Sequence, residues 1–150
     1  MRKIVIVLSL FVSIGIPESQ AALTPQTECV ARTVYWEARG TGERSMLAVA
    51  QVIVNRTRHH KWPGSVCEVV YQRAGSVCQF SWVCGSRRNR RPSERDPEWG
   101  RSVQVASLAI QGVPDVTNGA LYFHSSRISP GWRNLRRVAR VGGNTFYAEQ

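Results

Sequence analysis

Glu37 stands in the run Tyr35-Trp36-Glu37-Ala38, an acidic side chain among aromatic and apolar neighbours. A carboxyl in such a setting loses solvation, keeps its proton to higher pH and can act as a general acid on a leaving oxygen. The competing reading is a solvated charge at a helix end. Acid-assisted cleavage of a glycosidic bond by water ordinarily uses a second carboxylate. Among Glu28, Glu43, Glu68, Glu94, Asp96, Glu98, Asp115 and Glu149, the nearest in sequence is Glu43, across a turn containing Gly40 and Gly42. Glu43 is therefore the second catalytic candidate, set against the plainer reading of an acid in the first turn of a helix. Glu28 and Glu68 sit where helix starts place acids, and Asp96 reads as a cap.

Aromatic residues group in the second half of the chain: Phe80, Trp82, Tyr122, Phe123, Trp132, Phe146 and Tyr147. Sugar rings present C–H faces that stack on aromatic rings, and acetamido groups want hydrogen-bond donors such as Gln79, Ser81 or Asn118. The competing role for each ring is core packing. From this grouping and from the neighbourhood of Glu37, the substrate-binding candidates are Tyr35, Gln79, Phe80, Ser81, Trp82, Tyr122, Phe123 and Tyr147. Other catalytic patterns are missing from the sequence: it contains no G-x-S-x-G elbow, no phosphate-binding glycine loop and no H-E-x-x-H.

These residues need elements to hold them. Thr24-Pro25 pairs a capping hydroxyl with proline at the first helical position. Val30, Ala31, Val34, Tyr35 and Ala38 then recur at helical spacing, which places Glu37 in the last turn of a first helix. A second helix is expected from about Glu43 to Arg58, apolar nearly all round from Met46 to Val54 and therefore buried. Ser65-Val66-Cys67-Glu68 reads as a capping box opening a short helix to about Gln72. Arg87 to Pro92 reads as an exposed basic loop. Asp96-Pro97 caps a further helix that runs to Gln111 and ends at Gly112. Ala120–Phe123 reads as a strand, and Gly142-Gly143 as the turn of a hairpin between Val138–Val141 and Asn144–Tyr147. The fold class is α+β, mostly helical with a small C-terminal antiparallel sheet.

The N-terminus carries Arg2 and Lys3, an apolar run from Ile4 to Ile16, then Ser19-Gln20-Ala21. This is the pattern of a secretory signal peptide over 1–21, the run being shorter than the ~20 residues of a spanning helix. Residues 22–150 then form one domain, and export to the periplasm or the extracellular space makes disulfides the natural state of Cys29, Cys67, Cys78 and Cys84. Four cysteines allow three connectivities. Cys78–Cys84 closes a short loop and is favoured, with Cys29–Cys67 by elimination. A zinc site with one of His59, His60 or His124 is the rival, weakened by the lack of a C-x-x-C pair. The net charge is +10. An exported basic protein meets no nucleic acid, and its charge suits anionic wall polymers or peripheral contact with a membrane surface.

The string Ala31-Arg32-Thr33-Val34-Tyr35-Trp36-Glu37-Ala38-Arg39-Gly40 resembles the signature of the SleB/CwlJ-type cell wall hydrolases. The resemblance continues through Ala48-Val49-Ala50-Gln51-Val52, Asn55-Arg56, Trp62-Pro63, Val69-Val70-Tyr71-Gln72, Gln79-Phe80-Ser81-Trp82, Asn118 to Phe123, and Phe146-Tyr147. It implies a lysozyme-like fold and cleavage of peptidoglycan between N-acetylmuramic acid and N-acetylglucosamine, with Glu37 as the essential acid. It further implies lytic transglycosylase chemistry, in which one carboxyl suffices and the product ends in 1,6-anhydromuramic acid. On this reading residues 22–150 are a cell wall hydrolase catalytic domain acting as a monomer on peptidoglycan, with no cofactor and no metal. Targeting falls to the domain itself and its charge, since the sequence shows no separate wall-binding domain. A water-using muramidase and a non-catalytic peptidoglycan-binding module are the alternatives. One departure stands out: where the family often carries histidine two residues before the Phe-Tyr pair, this chain has Asn144, which cannot titrate.

Overall fold

A computed structural model describes residues 23–150, so the signal-peptide reading of 1–21 lies outside the described residues. The helices are α1 (Pro25–Ala38), α2 (Glu43–Thr57), α3 (Val66–Tyr71), α4 (Ser81–Cys84) and α5 (Pro97–Gln111). The strands are β1 (Arg73–Ala74), β2 (Val77–Cys78), β3 (Tyr122–Ser125), β4 (Leu135–Val141) and β5 (Asn144–Glu149). The expected α+β class is what the chain adopts.

Helix starts follow their local chemistry. The Thr24 hydroxyl accepts from the Thr27 amide at 3.1 Å, and Asp96 Oδ1 accepts from the Glu98 amide at 2.9 Å. At α3 the Ser65 hydroxyl accepts weakly from the Glu68 amide at 3.4 Å and donates to the Glu68 carboxylate at 2.7 Å. The glutamate thus returns to the serine hydroxyl, not to its backbone amide as in a capping box.

Helix α2 is central. One side packs Met46, Val49, Ala50 and Ile53 into the main core with α1, α3 and α5. The other side packs Ala48 and Val52 against Ala120, Val141 and Phe146 of the sheet region. Burial on both sides accounts for a helix that is apolar nearly all round. Its buried polar residues are anchors: Gln51 Nε2 donates to the Pro114 carbonyl and its Oε1 accepts from the Val116 amide, both at 2.9 Å. Asn55 Nδ2 reaches Asp115 Oδ2 at 3.0 Å and the Ala120 carbonyl at 3.2 Å. These bonds fix the segment that delivers β3.

The second sheet has the order β3-β5-β4, antiparallel throughout. Strand β3 starts two residues later than the sequence pattern places it. Residues paired across antiparallel strands share a face. Tyr122 pairs with Tyr147 and His124 with Thr145 on one face, while Phe123 and Phe146 stack toward the core on the other. The β4–β5 hairpin turns at Gly142, whose φ is +57°. A Cβ there would lie 2.0 Å from Ser45 Oγ, so only glycine lets this turn close onto the start of α2.

Cys29 joins Cys67, tying α1 to α3, and Cys78 joins Cys84 across the segment between β2 and α4. All four thiols are thereby used, which removes the cysteines a zinc site would need.

Candidate active site

Helix α1 ends one residue after Glu37. The turn that ends it is held by the Thr41 amide on the Ala38 carbonyl at 3.2 Å, and by the Gly40 amide on Glu98 Oε2 at 2.9 Å. Gly40 has φ +76°, which favours glycine. The Glu37 side chain is half-buried and lines a cleft of about 450 Å³, within the range of about 300–1,000 Å³ usual for small-molecule sites. The other walls come from Arg56 at the end of α2, Cys78 to Ser81 between β2 and α4, Tyr122 to Ser125 of β3, and Ile128 and Trp132 of the following loop.

Burial pushes the Glu37 carboxyl above its ordinary value, and the nearby Arg87 guanidinium pulls partly back. No side-chain or backbone donor among the described residues hydrogen-bonds to it, so its oxygens are free for a ligand. Glu37 is also the one carboxylate among the residues lining the cleft.

Facing it is an aromatic cluster. Trp132 packs edge-on to His124 (5.4 Å between centroids) and to Tyr147 (5.5 Å), and tilts over Tyr122 at 6.0 Å. His124 stacks on Tyr147 at 5.2 Å. His124 Nδ1 lies 2.7 Å from the Ser125 carbonyl, which can only accept, so Nδ1 carries a proton. Nε2 then pairs with the Tyr147 hydroxyl at 3.0 Å.

Gln79, Phe80, Ser81, Tyr122 and Phe123 of the sequence candidates line the cleft, and Tyr147 backs it through His124 and Trp132. Three candidates stand elsewhere. Tyr35 is 5% exposed, and its hydroxyl donates to Asp96 Oδ2 at 2.7 Å, clamping α1 to the start of α5. Trp82 is 1% exposed because α4 turns it into the main core, where Arg32 lies over its ring. Glu43 is exposed in the first turn of α2 and does not line the cleft, the position its helix-acid reading describes. The basic loop also differs from a free surface loop: Arg32 donates to the Arg88 carbonyl, and Arg87 lies over the Trp36 ring at 5.3 Å, next to Glu37.

Sequence reasoning missed His124 and Arg56 as cleft residues, and it named Trp132 only within the aromatic grouping. The alternation Tyr122-Phe123-His124 carries the signal for His124, since the first and third side chains of a strand share a face. Arg56 is marked by a charge on the stripe Val49, Ile53, Arg56 of a helix that is apolar nearly all round from Met46 to Val54. Asn144 pairs with Ser125, and the histidine at the cleft is His124 of the neighbouring strand.

A family model described as Cell Wall Hydrolase matches residues 40–147, beginning three residues after Glu37. The chain is 25% identical over 135 residues to a spore cortex-lytic enzyme of Oceanobacillus iheyensis, a match that covers 89% of this chain and 45% of the relative. It thus spans under half the length of that relative. Among solved structures, it resembles the catalytic domain of the Bacillus cereus SleB protein with a TM-score of 0.66 at 25% identity, covering 82% of this chain and 89% of that one. It also resembles the catalytic domain of a germination-specific lytic transglycosylase SleB from Bacillus anthracis, with a TM-score of 0.67 at 23% identity, covering 89% of this chain and all of that one. The lysozyme-like architecture that the family resemblance implies is therefore shown.

Proposed function

Because this chain belongs to the cell wall hydrolase family, we propose that it cuts the glycan strands of peptidoglycan between N-acetylmuramic acid and N-acetylglucosamine, with Glu37 as the acid. The observation that carries this reading is a half-buried carboxyl with a raised pKa, alone among its kind in an aromatic-walled cleft. A solvated helix-end charge would have none of these properties. The two disulfides and the signal-like N-terminal segment support an exported protein, working where its substrate lies.

A single carboxyl favours transglycosylation. Protonated Glu37 gives its proton to the glycosidic oxygen as the bond from muramic C1 to that oxygen breaks, and the leaving N-acetylglucosamine becomes an alcohol. The carboxylate then takes the proton of the muramic 6-hydroxyl as that oxygen bonds to C1. Glu37 ends protonated, and the new chain end is a 1,6-anhydro ring one water lighter than a hydrolysed end. The nucleophile is tethered to the reacting sugar, so attack is intramolecular and gains the advantage of preset geometry.

A water-using muramidase would need a second group to take a proton from water. His124 is the side chain in the cleft that favours that alternative. Its two ring nitrogens, however, already pair with the Ser125 carbonyl and the Tyr147 hydroxyl, so neither is open to a water molecule in this arrangement. Mass spectrometry of fragments released from purified peptidoglycan in ¹⁸O-labelled water tests the choice. The expected products are unlabelled anhydromuramic ends. Reducing muramic ends carrying ¹⁸O would establish the water route, and release of no glycan fragment would leave a binding module.

A further inference from the structure

Arg56 is a buried cation without a carboxylate partner among the described residues, yet it lies in the wall of the cleft. Its side chain belongs to a residue only 2% exposed. Burial brings its pKa down to about 10, so it remains charged at neutral pH. An isolated buried charge is unfavourable unless its N–H groups find acceptors. Here Nε donates to the Leu121 carbonyl at 2.7 Å, and the guanidinium lies 5.4 Å from the Trp62 ring and 5.6 Å from the Phe80 ring. The Tyr122 ring lies 5.9 Å away, and the remaining hydrogen-bond partner is Gln79.

Only one orientation of the Gln79 amide suits this neighbour. With its oxygen toward the guanidinium it accepts from Nη1 at 3.0 Å and Nη2 at 3.2 Å; turned the other way, an NH₂ group would face N–H groups. Both lone pairs of the oxygen are then used by Arg56. What an exposed Gln79 has left for a ligand in the cleft is its NH₂ group, a donor that cannot accept. The Cys78–Cys84 bridge closes around this segment and limits its movement.

We propose that Gln79 donates a hydrogen bond to an acetamido carbonyl of the glycan, and that Arg56 is the positioning residue that fixes Gln79 as a donor. This rests on the peptidoglycan-cleaving reading above and extends it to a specificity. A de-N-acetylated amino sugar presents an ammonium group where the carbonyl would be. That sets donor against donor, with the Arg56 charge close behind. The enzyme therefore selects N-acetylated glycan and discriminates against glycan whose amino groups are free.

The test compares kcat/KM on soluble glycan chains from one peptidoglycan preparation, either N-acetylated or enzymatically de-N-acetylated, at fixed ionic strength. The wild type should prefer the acetylated chain by about tenfold, the size of one lost hydrogen bond facing an unpaired donor. Gln79→Glu keeps two acceptor oxygens for Arg56, so its Tm should hold or rise, but it has no donor. Its preference should shrink toward unity or reverse, through KM more than kcat. Arg56→Lys cannot fork two N–H groups onto one oxygen, and it should erode the same preference. A folded Gln79→Glu variant with the wild-type preference overturns the donor assignment. An Arg56→Lys variant that is slower on both chains with its preference intact overturns the positioning role. A wild type that cuts both chains equally refutes this proposal alone, whereas one that cuts neither refutes the reading beneath it.

Discussion

At Glu37 two influences oppose each other: burial favours the neutral acid, and the Arg87 guanidinium favours the anion, with burial the larger. The folded chain therefore holds this proton more tightly than the unfolded chain does. Linkage sets the sign for stability: the contribution is fully present below the ordinary glutamate range, and is lost as pH rises through the raised folded value. Glu37→Gln cannot titrate. Its Tm should equal or exceed that of the wild type at about pH 7, and the difference should close by about pH 4. Peptidoglycan clearing should fall by at least about a hundredfold in the same variant, the usual worth of a general acid. A folded Glu37→Gln protein that clears the wall at near the wild-type rate would remove Glu37 from the chemistry. Arg87 is the converse case. Arg87→Ala removes the influence that lowers the Glu37 pKa, so the alkaline limb of the pH–rate profile should move to higher pH. A limb that stays in place, or moves down, would show that Arg87 does not act on the acid.

Among elements, the two disulfides divide their work between stability and the site. Cys29–Cys67 closes a loop of sequence separation 38 and joins two helices of the core; Cys78–Cys84 has separation 6 and brackets the cleft segment Gln79-Phe80-Ser81. On the loop-entropy account the longer loop is worth about 3–4 kcal/mol and the shorter nearer 2. Replacing Cys29 and Cys67 by serine should therefore lower Tm more than replacing Cys78 and Cys84. The second pair should raise KM more, because Gln79 loses its tether. Thermal melts and steady-state kinetics on the two double variants check this, and equal effects on both quantities would count against the division. The helices were legible in the sequence because their signals are local: Thr24-Pro25 and Asp96-Pro97 each combine a side-chain cap with a proline that fits the first turn. What was not legible depends on tertiary packing. Nothing within Gln79-Phe80-Ser81-Trp82 says that a four-residue helix will turn Trp82 into the core while Phe80 meets the cleft. The strands β1 and β2 are two residues each, too short for alternation to register. Tyr35 adjoins Trp36-Glu37, but its partner Asp96 is 61 positions away, and only the folded chain shows that its hydroxyl is already engaged.

At the scale of the whole molecule, three of the acidic groups among the described residues are spent on ion pairs and positive charge is left over. Glu149 pairs with Lys61, Glu98 with Arg101, and Glu28 with Arg91. Arg88 and Arg90 are exposed on the loop after α4, and Arg137 and Arg140 project from the edge strand β4, on the sheet face shared by Tyr147 and Thr145. Exposed charges are screened over about 8 Å at physiological salt, so we propose that these residues act on the approach to an anionic wall and not on bond cleavage. Arg87 is the exception in its loop, since it lies over Trp36 beside the acid. The loop arginines therefore do not form one functional set, as their sequence alone suggests. Changing Arg88 and Arg90 together to glutamine, with Arg87 and Arg91 kept, should weaken sedimentation with purified sacculi at low salt. The deficit should disappear as salt is raised toward about 1 M, where screening falls to about 3 Å. Turnover of a short soluble glycan at high salt should match the wild type, because the Arg32 contacts to this loop run to backbone carbonyls and survive the substitution. Loss of that high-salt turnover would mean that the loop shapes the cleft through these side chains, and that capture by charge is not their role.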